Sequence, residues 1–201
     1  MIKYSDILNH IKNKNIELRH DVDVSLISAY NMSKFEEQNN VKSIYYLRFD
    51  CDYYNLISID NIKIINFLLE NHEIGCHVDV TNINNEHDLF NYLEYYNKII
   101  PFKKFTFHIN TYKTQSLGQV DNYINKSILY NEYISDSKNK FTNENFNKIK
   151  TLNDYTLVIH PEWWDNENFI FGLKSGEELL LDSLNTDKIY NKSLKEILNI
   201  W

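Results

Sequence analysis

Short apolar runs alternate along this chain with longer segments in which apolar residues recur every three or four positions. The short runs are rich in β-branched and aromatic residues, so they predict the strands of a buried sheet. We place these strands at 16–22, 41–49, 73–77, 103–108, 131–136 and 155–160.

The periodic segments between the strands predict helices. The clearest covers 25–39, where Ser25 is a suitable N-cap and the apolar side chains share one face. Further helices are predicted at 1–15, in a segment that ends near Asn71, at 86–98, and as C-terminal capping helices over 176–201. The repeated alternation of strand and helix indicates βαβ units, and hence an α/β protein with a mainly parallel sheet or barrel. With 201 residues and no internal linker, the chain is expected to form a single domain, 1–201.

Composition narrows the classes of partner. Hydrophobic residues make up 43% of the chain and charged residues 24%, as in an ordinary globular protein. The net charge of −7 argues against a nucleic-acid partner, because phosphate binding needs clustered Lys and Arg. No run of about 18 apolar residues predicts a membrane span, and nothing at the N-terminus resembles a signal peptide. The two cysteines, Cys51 and Cys76, fit a reducing compartment, so a cytoplasmic protein is expected.

Polar side chains that can bind ligands follow nearly every predicted strand. Because the carboxyl ends of parallel strands meet at one edge of a sheet, these side chains are expected to converge on one mouth. They are Asp21, Asp23, Arg48, Asp50, His77, His108, Asp136 and His160.

Asp21 and Asp23 are the most informative pair among them. Side chains of a strand alternate between its faces, so the two carboxylates point the same way. Two like charges held that close need a cation or a shared proton, which indicates a metal site, an acid–base site or both. Two alternatives stay open: a capping pair at the helix near Ser25, and the metal-binding Asp-x-Asp of a nucleotide-sugar glycosyltransferase. The latter motif normally follows a nucleotide-binding subdomain, whereas this pair lies on the first predicted strand.

The segment 72–79 offers a second set of ligands. His77 and Asp79 share a face if the strand continues, and an imidazole with a carboxylate suits Zn²⁺ or another first-row divalent ion. Gly75 permits a close backbone approach. Cys76 faces the other way and is expected to be a buried filler, while His72 is expected at the surface or at a helix end.

His108 and His160 each end an apolar strand. A lone histidine in such a place is usually a satisfied core group, but two of them at strand ends favour a functional role. Trp163 and Trp164 follow His160, and they belong either to the core or to a mouth where tryptophan stacks on sugar rings.

Taken together, three segments resemble the polysaccharide deacetylase (NodB-homology, carbohydrate esterase) superfamily, in its Arg-His-Asp-Val-Asp branch. They are Arg19–Asp23, His72–His77 and His160–Trp164. Asp121, Asn122 and the segment Tyr133–Ser137 also match that branch, so the resemblance covers about residues 16–165.

The resemblance implies a distorted, incomplete (β/α) barrel that holds one divalent metal ion, most commonly zinc, and hydrolyses N-acetyl or related amide groups on sugars. By position, Asp21 matches the general base of the family and Asp23 matches a metal ligand. His77 matches the first histidine of the family's His-x-x-x-His ligand motif, and His160 matches the general acid.

The second histidine of that ligand motif would fall at position 81, which is Thr81 here. His108 and Asp79 are the candidates for the missing ligand. We favour His108, because imidazole suits zinc and a separate strand widens the angular coverage. Asp136 is expected to orient a catalytic histidine. Arg48 is expected either to bind a substrate carboxylate or phosphate or to form a structural salt bridge.

Residues and resemblance together predict a metal-dependent amide hydrolase that removes an N-acyl group, acetyl or formyl, from a sugar or glycan intermediate. Two alternatives stay open. Thr81 favours a catalytically degenerate barrel that binds carbohydrate or a partner. The other alternative is a glycosyltransferase that uses Asp21 and Asp23 with Mn²⁺.

Overall fold

The computed structural model describes residues 2–81, 83–108, 120, 122–127, 132–166 and 169–172. Its helices are α1 (Tyr4–Ile11), α2 (Leu26–Gln38), α3 (Ile59–Asn71), α4 (Glu86–Asn97) and α5 (Asn143–Thr151). Its strands are β1 (Asn15–Val22), β2 (Ile44–Leu47), β3 (Glu73–Val78), β4 (Lys104–Phe107), β5 (Ile124–Asn125), β6 (Glu132–Ser135) and β7 (Asp154–Ile159). Short 3₁₀ helices cover Ser137–Asn139 and Pro161–Trp164. The predicted capping helices at 176–201, and Asp121, lie outside the described residues.

The seven strands form one sheet in the order β5-β4-β3-β2-β1-β7-β6, and every pair is parallel. Along the chain the sheet grows from β1 outward to β5 on one side, while β7 and β6 add to the other. Within the described part of the chain, β5 and β6 do not pair. A curled sheet that stays open there and carries flanking helices is an incomplete (β/α) barrel, so the predicted fold class is confirmed.

The predicted strands all occur, but β2 is shorter than the expected 41–49. Before β2, the Val41 amide donates to the Glu36 carbonyl at the end of α2. After β2, the Arg48 amide donates to the Tyr54 hydroxyl, so both ends leave the sheet ladder. The pattern does not predict β5 or α5. Strand β5 has only two residues and α5 buries only Ile149, so neither carries a long periodic signal.

Helix α1 packs on the outer face of the sheet through an apolar stripe. Its buried side chains recur at helical spacing and form one stripe, Tyr4, Ile7, Leu8 and Ile11. The stripe belongs to the same core cluster as Leu157 and Ile159 of β7. Burying these side chains on the helix side leaves the alternate strand positions for the inside of the half-barrel. Among the described residues, no helix is both long and apolar enough to cross a bilayer.

The register of the parallel strands decides which side chains meet on the inner face. Asp21 of β1 pairs with Tyr46 of β2, and Tyr46 pairs with Gly75 of β3. A Cβ atom on Gly75 would lie 2.4 Å from two carbons of the Tyr46 ring. Glycine is therefore needed there so that the ring can lie across β3.

Candidate active site

Three ligand atoms from three strands of the sheet converge at its carboxyl edge. Asp23 follows β1, His77 lies on β3 and His108 directly follows β4. The Oδ1 atom of Asp23 lies 3.3 Å from Nε2 of His77 and 3.0 Å from Nδ1 of His108. The two imidazole nitrogens are 3.4 Å apart. These residues form a group that can hold a metal ion.

The two histidines are held in place by the sheet. Nδ1 of His77 lies 2.6 Å from Oγ1 of the buried Thr106, its register partner on β4. This contact turns Nε2 of His77 toward Asp23. The amide of His108 donates to the Val78 carbonyl at 2.9 Å, which continues the β3–β4 ladder by one residue and fixes where the His108 side chain starts.

The donor set fits a divalent ion. Metal–ligand bonds of 2.0–2.1 Å in a tetrahedral arrangement separate the ligand atoms by roughly 3.3 Å, which the observed contacts match. Oδ1 of Asp23 is buried and makes no aligned hydrogen bond within the described residues, although both imidazoles are at ion-pair distance. Burial raises the pKa of Asp23, but the contacts of His108 and His77 outweigh it and lower the pKa well below its usual range. An ionised, buried and unsatisfied oxygen between two imidazoles suits a cation.

Asp21 lies beside this group and is bound by Arg19. The Nε and Nη2 atoms of Arg19 donate to the two carboxylate oxygens of Asp21 at 3.1 and 2.7 Å. Oδ2 of Asp21 is 3.8 Å from Nε2 of His77. Burial raises the pKa of Asp21, but the guanidinium of Arg19, followed by His77, outweighs it and leaves the pKa lowered. Asp21 is therefore an ionised carboxylate beside the candidate metal ligands Asp23 and His77, and Arg19 fixes its orientation.

Arg19 is a site residue that the sequence interpretation missed. Its guanidinium also donates to the Lys126 carbonyl and lies 5.4 Å from the centre of the Tyr46 ring. The signal was available, because Arg19 stands two positions before Asp21 and so shares its face of β1.

His160, which follows β7, and Asp136, which follows β6, form an imidazole–carboxylate pair beside the candidate metal ligands. Nδ1 of His160 lies 2.5 Å from Oδ1 of Asp136, and the His160 amide donates to both carboxylate oxygens at 3.1 and 3.0 Å. Nε2 of His160 is 3.6 Å from Oδ2 of Asp23. Burial lowers the pKa of His160, but the Asp136 carboxylate outweighs it and raises the pKa well above its usual value. The geometry thus gives an imidazolium whose Nε2 faces the metal group.

Asp79, the other candidate for the third ligand, is engaged elsewhere. Its Oδ2 accepts from Nη2 of Arg48 at 3.0 Å, and its Oδ1 accepts from the amide and hydroxyl of Thr81 at 2.9 and 2.5 Å. Of the two roles expected for Arg48, the structure contains the local salt bridge. Asp50 is exposed and does not belong to the group that can hold a metal ion.

For two residues the structure agrees with one of the alternatives that the sequence left open. Trp164 is fully buried, with its indole N–H donating to Asp136 at 2.8 Å, so it supports the site from the core and has no face open to a sugar. His72 ends α3, as one reading had it, but it is buried and not at the surface. Its ring nitrogens contact the Ser33 carbonyl and the Ser43 hydroxyl at 3.1 and 3.2 Å. Trp163 is partly buried.

Comparison with known proteins finds solved structures with a similar fold. No protein-family model and no curated protein matches the chain. BA3943, a CE4 family pseudoenzyme from Bacillus anthracis, has a TM-score of 0.53 and 14% identity over 76% of this chain and 56% of that chain. A BA3943 mutant with restored enzymatic activity has a TM-score of 0.56 and 14% identity, with 92% and 65% covered. A CE4 esterase from Streptococcus mutans has a TM-score of 0.55 and 12% identity, with 96% and 88% covered.

This chain spans less than two thirds of the length of the BA3943 chains, and its identity to all three structures is low. The shared feature is the arrangement of strands and helices that brings the strand ends together. The chain has the fold of the CE4 carbohydrate esterases, the polysaccharide deacetylase (NodB-homology) superfamily that its sequence motifs resemble.

Proposed function

We propose that this chain is a metal-dependent amide hydrolase that removes an N-acyl group, acetyl or formyl, from a sugar or glycan intermediate. One observation carries the proposal. An ionised carboxylate, Asp21, lies 3.8 Å from His77, and an imidazolium, His160, lies 3.6 Å from Asp23, so both adjoin the group Asp23, His77 and His108. An ion site flanked by a base and an acid is what hydrolysis of an amide requires.

Asp21 is proposed as the general base. Its two oxygens are fixed by Arg19, so its position does not depend on the ion. It takes a proton from the attacking water as the new C–O bond forms at the acyl carbon. A divalent ion held by Asp23, His77 and His108 supplies Lewis-acid polarisation of the substrate carbonyl and lowers the pKa of water.

His160 is proposed as the general acid. Asp136 holds Nδ1 and keeps the ring protonated, so Nε2 carries the proton that faces the mouth. As the C–N bond breaks, this proton passes to the nitrogen of the leaving amine. The products are then a free acid and an amino sugar, and the charges balance.

The remaining parts of the proposal follow from the same residues. Zinc is the proposed ion, because two imidazole nitrogens with a carboxylate oxygen are a typical zinc donor set. Trp163, partly buried beside His160, is the proposed contact for a sugar ring. Cys51 and Cys76 are unpaired, which supports a cytoplasmic protein and an intracellular glycan intermediate.

Hydrolysis of N-acetylated sugars and short glycans, with release of acetate and free amine as the readout, tests the function. Asp21→Asn is expected to keep bound zinc and to reduce turnover by at least about 100-fold, because the base is removed and the ion ligands are intact. Asp60→Asn, the same change at an exposed helix position, is the matched control. Full turnover of Asp21→Asn, or turnover by the parent after exhaustive chelation, would refute the mechanism.

A second candidate function is a catalytically degenerate barrel that binds carbohydrate or a partner. It is favoured by Thr81 at the position where the resemblance expects a ligand, and by the pseudoenzyme among the structural neighbours. Binding of glycans without hydrolysis by the zinc-loaded protein would support it. The glycosyltransferase alternative requires both carboxylates on one cation, and the engagement of Asp21 by Arg19 argues against it.

A further inference from the structure

Glu162 is a buried carboxyl that the proposed mechanism does not use. It lies on the 3₁₀ helix Pro161–Trp164, two residues after His160, and is 1% exposed. Neither of its side-chain oxygens has a hydrogen-bond partner in the part of the chain that the structure describes. A buried, unsatisfied carboxylate is costly, so its persistence beside the site needs a physical reason.

Three carboxylates at the site each lie against basic side chains. Asp21 is paired with Arg19, Asp136 with His160, and Asp23 with His77 and His108.

Among the described residues, Glu162 has no such partner within contact. Asp165, on the same turn, is held by the Ser28 hydroxyl and the Asn31 amide of α2. Burial raises the pKa of Glu162 to about 8, with His160 opposing the rise and Asp23 and Asp136 adding to it. Burial without a paired cation therefore favours the neutral form of the Glu162 carboxyl.

We propose that Glu162 is an uncharged carboxylic acid at neutral pH, and that it is a positioning residue which acts through His160. Asp136 is the carboxylate that hydrogen-bonds to Nδ1 of His160. An ionised Glu162 places a second negative charge beside the imidazolium, which then holds its proton more tightly and releases it to a leaving amine more slowly. The effect on turnover rests on the proposed function, whereas the protonation of Glu162 does not.

Thermal unfolding of the parent and of Glu162→Gln from pH 5 to pH 9 tests the protonation. In the folded protein the pKa of Glu162 is about 8, above its ordinary 4.5. The unfolded chain therefore loses this proton first as pH rises, and the parent loses stability between those two values. Glu162→Gln cannot ionise, so its Tm should rise relative to the parent as pH increases through this window. Glu37→Gln, the same change at an exposed position on α2, should show a constant difference from the parent.

A second measurement needs no variant. In ¹³C NMR spectra of the parent labelled at the glutamate carboxyls, one resonance should titrate near pH 8, far above the others. A Tm difference between Glu162→Gln and the parent that is the same at every pH, or glutamate carboxyls that all titrate in the acid range, would overturn the proposal.

The pH dependence of kcat tests whether Glu162 acts through His160. On an N-acetylated sugar that the parent hydrolyses, Glu162→Gln should retain kcat to higher pH than the parent, with KM little changed. A structural role alone would lower kcat equally at every pH, and that result would remove the positioning role. If the parent hydrolyses no substrate, the proposed function fails, while the unfolding and NMR results still decide whether Glu162 is neutral.

Discussion

Single residues on the inner face of the sheet work in pairs, in which one side chain fixes the orientation of another. Arg19 orients Asp21, Thr106 orients His77, and Asp136 orients His160. The orienting residue is buried in each pair, so the atom that is proposed to react or to bind an ion is held in place before any ligand arrives. Such preorganisation reduces the cost of binding an ion or a substrate.

Thr106 gives the most direct test of this arrangement. When Nε2 of His77 binds an ion, Nδ1 carries the ring proton and donates a hydrogen bond to the Thr106 hydroxyl. Thr106→Val removes the acceptor at nearly constant volume, and we expect zinc affinity to fall about 10- to 100-fold, as measured by competition with a chelating dye. Thr106→Ser should restore most of the affinity. Thr151→Val, at the exposed end of α5, is the control, and equal affinity of Thr106→Val and the parent would contradict the pairing.

Residue types and spacing predict part of this site. Alternation along β1 places Asp21 and Asp23 on one face, and the same rule applied to Arg19 would have found the partner of Asp21. The role of Thr106 could not be predicted, because it depends on its register with His77 across two strands distant in sequence. The burial of Trp164 could not be predicted either, because the sequence around it is compatible with a surface position and with a core position.

At the scale of elements, a buried polar cluster around Glu36 ties helices α1 and α2 to strands β1 and β2. Glu36 accepts hydrogen bonds from the Tyr4 hydroxyl, from the Ser43 and Tyr45 hydroxyls at 2.6 and 2.7 Å, and lies 2.7 Å from Nε2 of His20. Burial raises the pKa of Glu36, but His20 and these hydrogen bonds outweigh it and leave the pKa lowered. His20 thus faces the helices while its neighbours Arg19 and Asp21 face the site.

Glu36→Gln should destabilise the fold, because it leaves His20 and several hydroxyls without their anionic partner. We expect the free energy of unfolding in urea at pH 7 to fall by about 3–5 kcal/mol. The lowered pKa means that this stabilisation is present above the unfolded-state pKa and is lost as pH falls through the folded-state value. The difference between the parent and Glu36→Gln should therefore shrink in acid. A loss at pH 7 no larger than that of Glu37→Gln, or a difference that grows in acid, would contradict this account.

Element boundaries were predictable where a periodic signal was long. Helices α2 and α4 and strands β1, β3 and β7 lie within a few residues of their predicted positions. The sequence pattern does not predict helix α5, because only Phe146 and Ile149 give its polar sequence an apolar face. The helix-end position of His72 agrees with the sequence, but its burial could not be predicted, because it depends on contacts with Ser33 and Ser43, which lie far from it in the sequence.

At the scale of the whole molecule, the alternation of strands and helices predicts a parallel α/β architecture, and the motif resemblance adds the incomplete barrel. The opening between β5 and β6 could not be read from periodicity, because it depends on strands of two and four residues. The order of the strands then determines which side chains meet at the carboxyl edge of the sheet. Asp23, His77 and His108 are brought together because β1, β2, β3 and β4 are consecutive neighbours in the sheet.

Asp23, His77 and His108 are proposed to hold one divalent ion, with His108 in place of the ligand absent at Thr81. Zinc content per chain, measured by mass spectrometry of the purified protein after zinc loading and removal of free ion, tests it most directly. The parent and Asp79→Asn should each retain a single zinc ion, whereas His108→Ala should lose it. A parent that holds no zinc, or a His108→Ala variant that holds as much as the parent, would contradict the claim.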